Sequence, residues 1–202
     1  MARLTQLVTW TLLVYWSLLR KVTAYCDERC QEECLVFHNK YRLNHQVKLL
    51  KYDHDLAKQA QVWADSGTVD SSPWAMKGEG GECWAWGNIF HSWKSVIKVW
   101  HDQEKNYDWN TYRSKDNNKV GCFQQIIWAG ATSLGCGRGM IDGLPFYVAQ
   151  MDVPGVINRD VPGHGAENVR PPLLDDLHWF DDDIDIYNNG TDTANNNTSK
   201  QF

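Results

Sequence analysis

The feature that narrows this chain most is its set of six cysteines. Cys26, Cys30 and Cys34 stand at four-residue spacing near the start, and Cys83, Cys122 and Cys136 follow far apart. On a continuous helix, residues four apart lie on one face. Three thiols on one face predict bridges that leave it for the three later cysteines. An even number of cysteines in an oxidising compartment implies a disulfide framework, and six can pair in fifteen ways. The competing reading, a zinc site, wants paired Cys-x-x-Cys spacing, which the sequence lacks. All six thiols are expected to be oxidised, with none left as a nucleophile.

The compartment is read from the two ends. Residues 1–24 carry three basic residues and no acid, an apolar run from Trp10 to Leu19, and the small-residue end Val22-Thr23-Ala24. This pattern predicts a cleaved secretory signal peptide. The apolar run is about half of the ~20 residues that a membrane-spanning helix needs, and no later segment is apolar enough. Arg3, Arg20 and Lys21 leave with the leader, so 20 basic residues become 17 against 25 acidic ones, a net of −8. That balance argues against nucleic acid or an anionic membrane as partner, since both select basic patches. At the other end, Asp175, Asp176, Asp181, Asp182, Asp183 and Asp185 precede an Asn- and Thr-rich stretch. Residues 173–202 are expected to be a flexible acidic tail, with glycosylation acceptor motifs at Asn189, Asn196 and Asn197. Residues 25–172 remain as one disulfide-stapled domain.

Periodicity predicts helices over residues 33–46, 53–66 (capped by Asp53) and 92–105 (apolar at Trp93, Val96, Ile97 and Trp100). Residues 67–81 and 110–120 read as loops. Leu134–Arg138 and Phe146–Met151 read as strands joined by a glycine-rich turn.

Gly121-Cys122-Phe123-Gln124-Gln125-Ile126-Ile127-Trp128, followed by Leu134-Gly135-Cys136-Gly137, resembles the signature of the CAP superfamily, the cysteine-rich secretory, antigen 5 and pathogenesis-related 1 proteins. The family runs Gly-His-[Phe/Tyr]-Thr-Gln-x-[Val/Ile]-Trp there. Other stretches resemble further landmarks in the same order. His38-Asn39-Lys40-Tyr41-Arg42 is similar to the opening His-Asn-x-x-Arg helix, and Gly81-Glu82-Cys83 to Gly-Glu-Asn. Trp100 to Tyr107 is similar to Trp-x-x-Glu-x-x-x-Tyr, and Glu167-Asn168-Val169-Arg170-Pro171-Pro172 to the closing motif. The resemblance covers roughly residues 34–172. It implies an α+β fold, the three-layer α-β-α sandwich with a central antiparallel sheet.

It also implies a cavity lined by two histidines and two glutamates. Carried over residue by residue, the glutamates fall on Glu82 and Glu104, one histidine on Cys122 and the other on Ser71. Both imidazoles are absent, and two carboxylates alone make a poor zinc site, so no metal or cofactor is expected. Two nearby acids suit acid–base chemistry, but buried carboxylates at such junctions more often hydrogen-bond the backbone. His101 and Glu104, three apart, read as an exposed helix pair; as ligands they would stand in for a missing histidine. Trp84, Trp86, Phe90 and Trp93 cluster in sequence, either as core packing or as the wall of an apolar groove. The expected function is a secreted, non-enzymatic binding protein for a sterol, a fatty acid or an extracellular protein surface. The alternatives are a hydrolase using Glu82 and Glu104, and a structural or antigenic surface protein with no small ligand.

Overall fold

The computed structural model describes residues 25–117, 119–155 and 164–174. The predicted signal peptide and the acidic tail with Asn189, Asn196 and Asn197 lie outside the described residues.

The elements are α1 (Glu28–Asn44), β1 (Lys51–Tyr52), α2 (His54–Ala64), α3 (Pro73–Met76), β2 (Gly81–Trp86) and α4 (Trp93–His101). A 3₁₀ turn (Asp102–Asn106) and the hairpin β3 (Tyr107–Asp108) and β4 (Arg113–Ser114) follow. Then come α5 (Gly121–Ile126), β5 (Ser133–Ile141), β6 (Leu144–Met151) and α6 (His164–Asn168). The main sheet has the order β1-β5-β6-β2, antiparallel except for the two-residue parallel contact of β1 with β5.

Helix starts follow local chemistry. Asp27 accepts from Cys30 N and Asp53 from the Asp55 and Leu56 amides, while Ser92 forms a reciprocal capping box with Ser95. The β5–β6 hairpin closes on Asp142-Gly143, both with positive φ, the two-residue turn whose twist suits paired strands. The strands therefore run further than the sequence reading, to Ile141 and from Leu144. The helix expected over 92–105 ends at His101 and tightens into the 3₁₀ turn. Strand β2 was not predicted, although Cys83 and Ala85 alternate there with Glu82, Trp84 and Trp86 in burial.

The sheet has two buried faces. On one, Leu134, Cys136, Tyr147, Ala149, Met151, Cys83 and Ala85 pack against α1, α4 and α5. On the other, Ile141, Phe146, Val148 and Trp84 meet Ala60 and Ala64 of α2. This is the expected three-layer α-β-α sandwich. Gly135, Gly137 and Gly139 point at α2, and a Cβ on any of them would overlap the backbone of Ala57, Ala60 or Ala64. The Leu-Gly-Cys-Gly run is thus a close helix–strand contact with the side chains removed.

Because β1 is so short, β5 has an unpaired edge beyond Leu134. Side chains fill it. Gln31 Oε1 accepts from Cys136 N (3.0 Å) and its amide donates to Cys136 O. Gln61 Oε1 accepts from Arg138 N (3.1 Å), and Gln61 Nε2 donates to Arg138 O (2.8 Å). Two glutamines act as a surrogate strand.

The six cysteines form Cys26–Cys30, Cys34–Cys136 and Cys83–Cys122. This corrects the three-to-three pairing expected from spacing. The helix begins at Glu28, so Cys26 precedes it and turns back on Cys30, 5.0 Å away between Cα atoms. One bridge alone, from Cys34, crosses from α1 to the sheet.

Candidate functional site

Two motif positions that depart from the family pattern have a common cause. Cys83 stands where the pattern has Asn and Cys122 where it has His, and the two are bonded to each other. The bond ties β2 to α5 across the place where the second imidazole would project. A thiolate nucleophile at Cys122 is thereby removed.

The rest of the expected cavity is held by hydrogen bonds within the fold. Glu82 Oε1 accepts from Ser72 N and Glu82 Oε2 from Gln150 Nε2, both at 2.8 Å. Ser71 Oγ accepts from Trp84 Nε1 (3.2 Å). Glu104 does not join them. The residue of the 3₁₀ turn that reaches α5 is Gln103, whose Oε1 accepts from the Cys122 and Phe123 amides at 3.2 and 3.3 Å. Counting from Trp100, the Trp-x-x-Glu-x-x-x-Tyr frame places Gln103, with Tyr107 closing it, so the spacing itself assigns this position to a neutral amide. Glu82 and Glu104 are thus engaged by different partners on different elements.

Nor do the four aromatics share one wall. Trp84 lies in the α2-side cluster, and Trp93 is buried with Phe90 on the opposite face of the sheet. Trp86 is 37% exposed and donates from Nε1 to Ile141 O (3.1 Å).

Two other arrangements emerge instead. The first is buried. His45 caps α1, and His101 ends α4; their Nε2 atoms are 2.8 Å apart, and Glu104 Oε2 lies 3.7 Å from His101 Nε2. His101 stacks on Tyr41 at 3.9 Å between ring centroids, and Phe123 meets both imidazoles with its edge. Burial, then the neighbouring His45 and Lys98, pushes the His101 pKa down to about 3; burial also lowers that of His45. Both rings are neutral at pH 7. The exposed pair read from sequence is therefore corrected: His101 is buried, only 7% exposed, because it falls four residues after Ile97 on the apolar stripe of α4. His45, four after Tyr41, carried the same signal.

The second is a groove of about 930 Å³ between α1 and α2. Tyr25, Leu35, Tyr52, Ala57 and Val62 give it apolar surface. Asp27, Glu28, Glu32 and Asp65 give it four carboxylates, against Lys58 as the one lysine or arginine among the described lining residues. No sequence pattern marked it, because its walls come from two helices that meet only in the fold.

The architecture and the chain have known counterparts. A human protein, Golgi-associated plant pathogenesis-related protein 1, is 32% identical over 152 residues, covering 72% of this chain and 96% of its own. Pathogenesis-related protein 1A1 of Solanum lycopersicum is 25% identical, over 78% of this chain and 86% of its own. The solved structure of Schistosoma mansoni venom allergen-like protein 4 superposes with a TM-score of 0.55 at 20% identity, covering 64% of this chain and 90% of that one. The pattern of the cysteine-rich secretory protein family, CAP, matches residues 35–151. With its sandwich, its ordered motifs and these relatives in agreement, the chain belongs to the CAP family.

Proposed function

We propose that this protein is an extracellular, non-enzymatic binding protein that holds a neutral apolar ligand of sterol type in the groove between α1 and α2. The groove carries the reading: its volume of about 930 Å³ lies in the range of small-molecule sites, and it pairs apolar walls with a few polar groups. The charge of the lining selects the head group. Four carboxylates facing one lysine repel an anionic head, so a sterol hydroxyl fits better than a fatty-acid carboxylate. Apolar burial, about 25 cal/mol per Å², supplies the driving force. Secretion is supported by the leader-like residues 1–24 and by the fully paired cysteines. The hydrolase alternative has less support, since Glu82 is held by Ser72 and Gln150 while Glu104 turns to His101.

The test is equilibrium binding of a fluorescent sterol, with tryptophan quenching as a second signal. Val62, 67% exposed on the groove wall, can be changed without touching the core. Val62→Glu should weaken sterol binding, while Glu82→Gln should leave it intact. A fatty-acid anion should bind more weakly than the sterol and gain affinity in Glu32→Gln, Asp65→Asn. Sterol binding that ignores Val62→Glu would rule out the groove as the sterol site. Turnover of an ester, peptide or glycoside, abolished in Glu82→Gln, Glu104→Gln, would establish the hydrolase instead. Failure of both across a broad panel would leave protein recognition.

A further inference from the structure

We propose that His45, His101 and Glu104 form a binding site for one divalent transition-metal ion of the zinc type, separate from the positions where the family motifs place their cavity. Among the described residues this is the one group of three or more such side chains whose ligand atoms converge, all within 4.8 Å of one another. None of Ser71, Glu82 or Cys122 contributes.

The geometry is that of three ligands converging on one point. His45 Nδ1 lies 2.6 Å from Arg170 O. A carbonyl can only accept, so Nδ1 carries the proton, and the neutral ring presents its Nε2 lone pair to His101. An N–H to backbone carbonyl bond of this kind is how metal-binding imidazoles are commonly fixed in tautomer and orientation. The His101 ring is fixed by other means, between the Tyr41 face and the Phe123 edge. Tetrahedral metal–nitrogen distances of about 2.0–2.1 Å put ligand atoms about 3.3 Å apart. The observed 2.8 Å between imidazoles and 3.7 Å to the carboxylate bracket that value. A metal would need the rings to part by about half an ångström and the carboxylate to swing in towards both imidazoles, since the three ligand atoms span up to 4.8 Å.

The donor set also selects the ion. Two imidazoles and one carboxylate suit zinc, cobalt or nickel better than calcium or magnesium, which take oxygen ligands. The aromatic surroundings of Tyr41, Phe123 and Trp109 exclude water from the imidazoles. Glu104, whose side chain is 23% exposed, marks the side open to solvent, so a fourth ligand would enter there.

The test uses the secreted, disulfide-intact protein stripped with a chelator. Titration with Zn²⁺ in a calorimeter should show one site, and Co²⁺ should give the intense visible bands of a tetrahedral nitrogen–oxygen site. His101→Gln and His45→Gln should each weaken Zn²⁺ binding about tenfold or more, and Glu82→Gln should not. Glu104→Gln, on the solvent side, should keep the fold and weaken binding as well. Should both histidine variants fail to fold, X-ray absorption of the zinc-loaded wild type decides, with two imidazoles and one carboxylate expected in the first shell. No one-site binding, or a first shell without two imidazoles, would overturn the proposal, as would affinity undiminished in a folded His101→Gln protein.

Discussion

Arg42 is fully buried, and its guanidinium donates to four main-chain carbonyls: Lys48, Ile126, Trp128 and Ala131, at 2.7–3.0 Å. It fastens α1 to the segment between α5 and β5. Burial pulls its pKa down to about 10, still well above neutrality, so the charge persists. Arg42→Ala would take a donor from all four carbonyls; Trp128 O keeps the Ala131 amide, and each buried carbonyl left without a partner costs about 1–3 kcal/mol unless water enters. A loss on the order of 3 kcal/mol or more is expected, read as a lower urea midpoint at unchanged slope. His38 sets a pH dependence. It is fully buried; its Nδ1 donates to Cys34 O (2.8 Å), and its Nε2 has no partner among the described residues. Burial lowers its pKa to about 4. The unfolded chain binds a proton near pH 6.5, whereas the folded protein refuses it until about pH 4. The stability that His38 contributes is therefore complete above pH 6.5 and lost as pH falls from 6.5 towards 4. The effect is a few kcal/mol. Across that window denaturant midpoints should vary less steeply in His38→Gln, the remaining slope belonging to His101 and His45, whose pKa values burial also lowers; an unchanged slope would exclude His38 as a source.

At the scale of elements, the tightest contact is α2 on β5. Ala57, Ala60 and Ala64 face Gly135, Gly137 and Gly139, and the backbones approach until no Cβ fits. Gly137→Ala places a methyl against the Ala60 carbonyl, which cannot rotate away as a side chain could. Overpacking of this kind costs about 1–3 kcal/mol, and a rigid backbone partner argues for the upper end. A thermal midpoint equal to wild type would show that α2 shifts freely. The bridge between β2 and α5 is the other test. The double variant Cys83→Ser, Cys122→Ser should lose about 2–5 kcal/mol, the usual range for a native bridge in a small secreted domain. Because Gln103 also holds the Cys122 and Phe123 amides, α5 should stay docked in that variant.

For the molecule as a whole, the chain closes on itself at the far end of α1. Arg170 donates to Gln46 O, Leu173 N donates to Asn44 O, and the Asn44 side chain pairs both polar groups of Leu174. Residues 173 and 174 are thereby held against the end of α1. A chain ending at Leu174 should keep a cooperative melt, and one ending at Pro172 should lose the three Asn44 bonds. At about 1 kcal/mol net for each well-formed bond, less where exposed, the shorter chain should melt a few degrees lower. Equal midpoints would show that these bonds add nothing beyond what water supplies.

The fold was legible because its signals are local. The Asp53 cap and the apolar stripe from Trp93 to Trp100 each act over a few residues and fix helices, whereas the sandwich was implied by the resemblance that the ordered motifs carry. One site departure was visible, Cys122 for histidine; the other was misassigned to Glu104, although counting three residues from Trp100 gives Gln103. What these side chains do was not visible. That Cys83 pairs with Cys122, that Gln31 and Gln61 finish the edge of β5, and that His45 meets His101 are contacts between segments 39 to 105 residues apart. Periodicity records which face of an element is buried. Which buried faces meet is decided by packing, after the chain has folded around its sheet.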